Sequence, residues 1–133
     1  MSAMDTAPKA LTRVFIVEDS PDIRDRLCAQ LAAIDGVDII GTAESPDAAV
    51  QAIISGRPHA VVLDMQLIGG TGLDVMRAVH PLAPEIKFIV FTNHPDPQYR
   101  RASMAAGASY FFDKSLDLAK LTEVVSGLGT TLH

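Results

Sequence analysis

The strongest constraint in this sequence is an alternation: short runs of β-branched and aromatic residues are separated by stretches whose apolar residues recur at helical spacing. The first run, Arg13-Val14-Phe15-Ile16-Val17, gives way to Glu18-Asp19-Ser20-Pro21, where polar and helix-starting residues come together. Ile23, Leu27, Leu31 and Ile34 follow at spacings of four, four and three, one stripe of a helix that stops at Gly36. Val37 to Thr42 reads as a second strand, and Ser45-Pro46 repeats the cap-plus-proline start before Val50, Ile53 and Ile54. Gly56-Arg57-Pro58 ends that helix.

Ala60 to Leu63 is a third strand that delivers Asp64 at its carboxyl end, and the loop Gly69-Gly70-Thr71-Gly72 leads into a helix carrying Leu73, Met76 and Val79. Lys87 to Thr92 is the fourth strand, with a helix from about Asp96 to Ala106 after Asn93-His94-Pro95. Tyr110-Phe111-Phe112 is the fifth, and a last helix from about Ser115 puts Leu118, Leu121, Val124, Val125 and Leu128 on its buried side. Near-continuous apolar strands suit a parallel sheet covered on both faces. Strand and helix in strict alternation therefore predict right-handed crossovers and a doubly wound α/β fold.

A chain of 133 residues, 48% apolar and 20% charged, can bury one core without disulfides or structural metal. The single Cys28 excludes an internal disulfide and, without a Cys/His cluster, a zinc site; it reads as a helix packing residue. A net charge of −5 with no Lys/Arg block argues against direct nucleic-acid binding by this chain. Runs such as Ala60-Val61-Val62-Leu63 are too short to span a bilayer, and Met1 to Thr12 lacks the basic start and apolar stretch of a secretory leader. No membrane contact and a cytoplasmic location are expected. The expected layout is a flexible tail over 1–12, one domain over 13–128 and a short tail over 129–133, with no output domain after it.

In doubly wound sheets ligands bind outside the carboxyl ends of the strands. That edge gathers Glu18 and Asp19 from the first strand, Asp64 from the third, Thr92 from the fourth and Lys114 after the fifth. Taken singly these residues have ordinary readings, the acids as helix caps or turn formers and the lysine as a solvated cation. Together they carry compatible chemistry at one edge. Three converging carboxylates raise one another's pKa unless a cation lies between them, and oxygen-only donors favour Mg²⁺ or Mn²⁺. A carboxylate nucleophile with a metal, a lysine and a hydroxyl can accept a phosphoryl group and stabilise charge on its oxygens, leaving an acyl phosphate on Asp64.

These residues, in this order, resemble the receiver domains of two-component response regulators, with Phe111-Phe112-Asp113-Lys114-Ser115 completing the pattern over Arg13 to Leu128. The resemblance implies the flavodoxin-like strand order 2-1-3-4-5. It implies Mg²⁺ held by Asp19, Asp64 and the backbone carbonyl of Gln66, with Glu18 acting through metal-bound water. It also implies that Asp64 takes its phosphoryl group from a histidine kinase or histidine phosphotransfer protein, contacted by Thr92 and Lys114. Phe111 stands where the family couples an aromatic residue to the threonine. On this reading Thr92 and Phe111 are the switch, and the face of the fourth helix, fifth strand and fifth helix signals to a downstream protein target, with homodimerisation open. Tyr99, Arg100 and Arg101 lie on or near that face.

The sequence departs from the family pattern in places. Asn93 replaces a commonly small residue and narrows access, while Gln66 and His94 occupy variable flanking positions, so these three are candidates for tuning the phosphoryl lifetime. Ile68 and Ser115 stand where proline is frequent, and Ser115 is expected to cap the last helix instead. The chain is expected to catalyse only its own phosphoryl transfer and slow self-dephosphorylation. An aspartyl-nucleophile phosphatase is the alternative, but it needs a second acid two residues after the nucleophile, where Gln66 stands. A flavodoxin-like binding module would need phosphate-cradling Ser, Thr or Gly after the first strand, where Glu18-Asp19 would repel phosphate.

Overall fold

In the computed structural model, which describes residues 11–132, each apolar run is a strand and each periodic stretch a helix. The order is β1 (Thr12–Val17), α1 (Pro21–Ala32), β2 (Val37–Ala43), α2 (Pro46–Gly56), β3 (Ala60–Leu63), β4 (Gln66–Leu67), β5 (Gly70–Thr71), α3 (Gly72–Val79), β6 (Lys87–Thr92), α4 (Pro97–Ala105), β7 (Ala108–Asp113) and α5 (Leu118–Leu132). Five strands form one parallel sheet in the order β2-β1-β3-β6-β7, which is the expected 2-1-3-4-5 order of the five apolar runs.

Alternation along the strands divides the core in two. Phe15, Val17, Val61, Leu63, Phe88 and Val90 pack with Ile53 of α2 and Val75, Met76 and Val79 of α3. Val14, Ile16, Val62, Ile89 and Phe91 pack on the opposite side with Leu27 and Leu31 of α1 and Leu121 and Val125 of α5. Both faces of the central strands are therefore dry, which explains why they read as continuous apolar runs. The chain goes from β1 outward to β2 and returns to β3 on β1's other side, so a crevice opens between the carboxyl ends of β1 and β3.

Local chemistry sets the helix starts. Ser20 and Ser45 accept N–H bonds from Ile23 and Ala48, each with a proline in the first helical turn. Thr71 caps α3 reciprocally with Asp74. Gly107 takes a φ of +111° in the turn before β7, and a Cβ there would lie 2.6 Å from the His80 ring, so glycine is required by both conformation and space.

Several expectations need correction. Ser115 does not cap the last helix: its N–H and hydroxyl both donate to Asp113 Oδ1, at 2.8 and 2.7 Å, which folds Asp113 to Leu116 into a turn. The helix starts three residues later, at Leu118, which is consequently exposed at the helix end instead of buried. Ile34 lies beyond α1 yet still packs on the core. The glycine-rich loop contains a two-residue antiparallel ladder pairing Gln66 with Thr71 and Leu67 with Gly70. The first strand begins at Thr12 and the last helix runs to Leu132. The tail expected over 1–12 lies outside the described residues up to position 10, as does position 133 of the C-terminal one. Among the described residues, no helix is long and apolar enough to cross a membrane.

Candidate functional site

Hydrogen bonds between strand ends build the site. Asp64 N–H donates to the Val17 carbonyl at 3.0 Å and Glu18 N–H to the Ala43 carbonyl at 2.9 Å, which aligns the ends of β1, β2 and β3. At the far side of the crevice Lys114 N–H donates to the Thr92 carbonyl at 2.9 Å, so the end of β6 fixes where the lysine leaves β7.

The side chains then meet. Lys114 Nζ lies 2.5 Å from Glu18 Oε1 and 2.8 Å from Asp64 Oδ2. The second oxygen of Glu18 accepts from Ser20 N–H at 3.1 Å, and Asp64 Oδ1 accepts from Met65 N–H at 2.7 Å. Glu18, Asp64 and Thr92 are buried, and Asp19 is half-buried. Glu18, Asp19 and Asp64 each offer a carboxylate oxygen within 4.8 Å of the others. Such an all-oxygen cluster suits a hard divalent cation.

Burial pushes the Glu18 carboxyl above its usual range, although the Lys114 ammonium and the Ser20 N–H hold it down. Burial works against the charged form of Lys114 as well, but its bonds to Asp64 and Glu18 outweigh that and raise its pKa. Because folding keeps a proton on Glu18 at pH values above 4.5 where the unfolded chain has released it, this group's contribution to stability falls as pH rises through that window. Lys114 contributes no slope there, since its effect is lost only at pH values above 10.5. In EDTA between about pH 5 and pH 8, the urea midpoint of Glu18→Gln is expected to fall less with rising pH than that of the wild type. Parallel curves for the two proteins would contradict the raised carboxyl.

The other residues expected at the site sit around this centre. Thr92 Oγ1 accepts from His94 N–H at 3.1 Å, and the His94 ring meets Tyr99 edge-on with centroids 6.4 Å apart. Asn93 is exposed on the wall of a cleft of about 240 Å³ that also includes Lys114, Phe91, Ile23, Leu27 and Leu118. Gln66 is exposed, its N–H 3.5 Å from Asp64 Oδ1. Phe111 is buried in the core between β7 and α4, with the Arg100 guanidinium 5.0 Å from its ring centroid. Tyr110, by contrast, is exposed and stacks on Phe112 at 5.7 Å. Gly72, seen in the sequence only as part of the loop leading into the third helix, is a spatial necessity: a Cβ there would lie 2.5 Å from the Asp64 carbonyl oxygen.

Fold and site together define a doubly wound α/β domain with an acidic, lysine-bridged crevice at its topological switch point. Residues 14–126 match the family described as response regulator receiver domain, and the chain belongs to that family. It is 27% identical over 119 residues to the DNA-binding transcriptional activator DevR/DosR of Mycobacterium tuberculosis, covering 90% of this chain and 55% of that protein. It is 26% identical over 115 residues to the response regulator GacA of Pseudomonas viridiflava, covering 86% and 54%. The chain thus spans about half the length of these relatives. Among solved structures, the signal receiver domain of NarL from Mycobacterium tuberculosis superposes with a TM-score of 0.83 at 23% identity, covering 92% of this chain and 98% of that one. The isolated REC domain of RcsB from Salmonella enterica serovar Typhimurium, in the presence of the phosphomimetic BeF₃⁻, gives 0.81 at 20% identity over 90% and 89%. These likenesses establish the fold.

Proposed function

We propose that this receiver domain is a phosphorylation-driven signalling switch in which Asp64 accepts a phosphoryl group from the phosphohistidine of a histidine kinase or phosphotransfer protein. The observation that carries this reading is the buried lysine joined to two carboxylates, with the Thr92 strand end hydrogen-bonded to the lysine's own backbone. Glu18, Asp19 and Asp64 fit Mg²⁺; Asp19, Asp64 and the Gln66 carbonyl would hold it directly and Glu18 would act through water. Bound there, Mg²⁺ supplies positive charge to the phosphoryl oxygens. An Asp64 oxygen attacks phosphorus as the bond to the donor imidazole nitrogen breaks. Lys114 offers its ammonium to the developing charge, and the Thr92 hydroxyl donates to a phosphoryl oxygen.

The aspartyl phosphate adds roughly −1.5 to −2 charges and three strong acceptors. Thr92 exchanges its contact with His94 N–H for the phosphoryl group, and Phe111 follows on the next strand, where it pairs with Val90. The face of α4, β7 and α5 then changes shape for a downstream protein target. Moving such an equilibrium from about 1:99 to 99:1 takes about 5.5 kcal/mol of preference for one state, within reach of several charge-assisted hydrogen bonds. Asn93, Gln66 and His94 flank the site and set the lifetime of the phosphoryl group.

The test is an amide NMR comparison with Mg²⁺ and BeF₃⁻. Wild-type shifts are expected at Asp64 and Thr92 and across α4 and β7, whereas Thr92→Ala is expected to cut the population of the switched state about five-fold or more. Undiminished α4 shifts in Thr92→Ala would show that the threonine does not couple site to surface.

A further inference from the structure

Met65, directly after Asp64, is held from three sides. Its N–H donates to Asp64 Oδ1 at 2.7 Å, its carbonyl accepts from Gly72 N–H at 2.9 Å, and its sulfur accepts from the Ser103 hydroxyl at 3.4 Å. Ser103 is fully buried on α4, and Met65 is buried beneath the site. Serine is an unfavourable residue for a buried helix interior, where alanine propagates the helix better and buries no polar group. A thioether is in turn a weak acceptor on a side chain with several rotatable bonds. The contact joins residues 38 positions apart, one beside the carboxylate and one on the helix of the proposed output face.

We propose that Ser103 is a positioning residue for phosphoryl acceptance. By anchoring the Met65 side chain it keeps the Met65 N–H aimed at Asp64 Oδ1, and it ties α4 to the carboxylate by a route separate from Thr92 and Phe111. The inference rests on Asp64 being the phosphoryl acceptor. An N–H already held at Oδ1 fixes the orientation of the carboxylate before a phosphoryl group or its mimic arrives, so less reorganisation accompanies bonding at its other oxygen. Without the anchor, the methionine samples other rotamers and the amide it carries is less well fixed.

BeF₃⁻ titrations at saturating Mg²⁺, followed by amide NMR, test this on the wild type, Ser103→Ala, Met65→Leu and the double variant. Alanine keeps the helix and leucine conserves volume, so all four are expected to unfold thermally within a few degrees (~) of one another. Each single variant is expected to weaken the BeF₃⁻ midpoint about three- to ten-fold, the effect of one lost hydrogen bond. The double variant is expected to be no weaker than the weaker single one, as for a coupled pair. Response of the α4 amides near Ser103 is expected to shrink in all three variants. Midpoints equal to the wild type's, or single effects that add in full, overturn the inference while leaving the acceptor reading intact. A wild type that shows no BeF₃⁻ response overturns the acceptor reading, and this inference with it.

Discussion

Lys114→Met is expected to slow phosphorylation of Asp64 by a small phosphodonor about 10²- to 10³-fold, the usual loss when one preorganised donor to developing charge is removed. The lysine side chain is only 7% exposed and touches both carboxylates, so its ammonium is lost from a nearly dry position between them. Methionine conserves the apolar stem and removes only the charge. The same change has a second effect in EDTA: Glu18 and Asp64 face each other without their cation. Breaking a buried pair of this kind costs on the order of 3 kcal/mol, at the lower end because Glu18 can take up a proton. Added Mg²⁺ is expected to restore part of that stability by binding the native state, without restoring the phosphorylation rate. Stopped-flow labelling and urea midpoints with and without Mg²⁺ separate the two effects. A variant that labels at the wild-type rate would remove Lys114 from the chemistry.

Most of the architecture was legible because burial leaves a direct trace in sequence. Strands covered on both faces must be apolar at every position, so Ala60 to Leu63 was bounded to the residue. The helix starts at Ser20 and Ser45 were marked by caps followed by proline. The crevice was legible for a related reason: each apolar run has to stop where the backbone leaves the sheet, and the residues at those stops line the crevice.

What stayed hidden depended on side chains choosing between partners. Ser115 has the composition of a cap, but Asp113 captures both its N–H and its hydroxyl, which moves the helix start to Leu118. The three aromatic residues of β7 are equivalent by composition; only the register against β6 turns Phe111 into the core beside α4 and leaves Tyr110 outside. Gly72 and the Ser103–Met65 contact carried no signal, because both are properties of close approach between segments.

Asp64→Asn is expected to abolish phosphorylation altogether, since an amide oxygen is a far weaker nucleophile than a carboxylate and the substitution leaves the shape of the site unchanged. The carboxylate cluster loses one anionic donor as well, so Mg²⁺ affinity is expected to fall, whereas the fold is expected to be retained because Asn is isosteric with Asp and keeps the hydrogen bond from Met65 N–H. The most direct measurement is intact-mass and peptide mapping after incubation with acetyl phosphate, with Mg²⁺ or with EDTA, on the wild type and Asp64→Asn. One Mg²⁺-dependent phosphoryl group is predicted on the wild type, mapped to Asp64 and absent from the variant. Equal labelling of the two proteins, or a phosphoryl group mapped to another residue, would contradict the assignment of Asp64 as the acceptor.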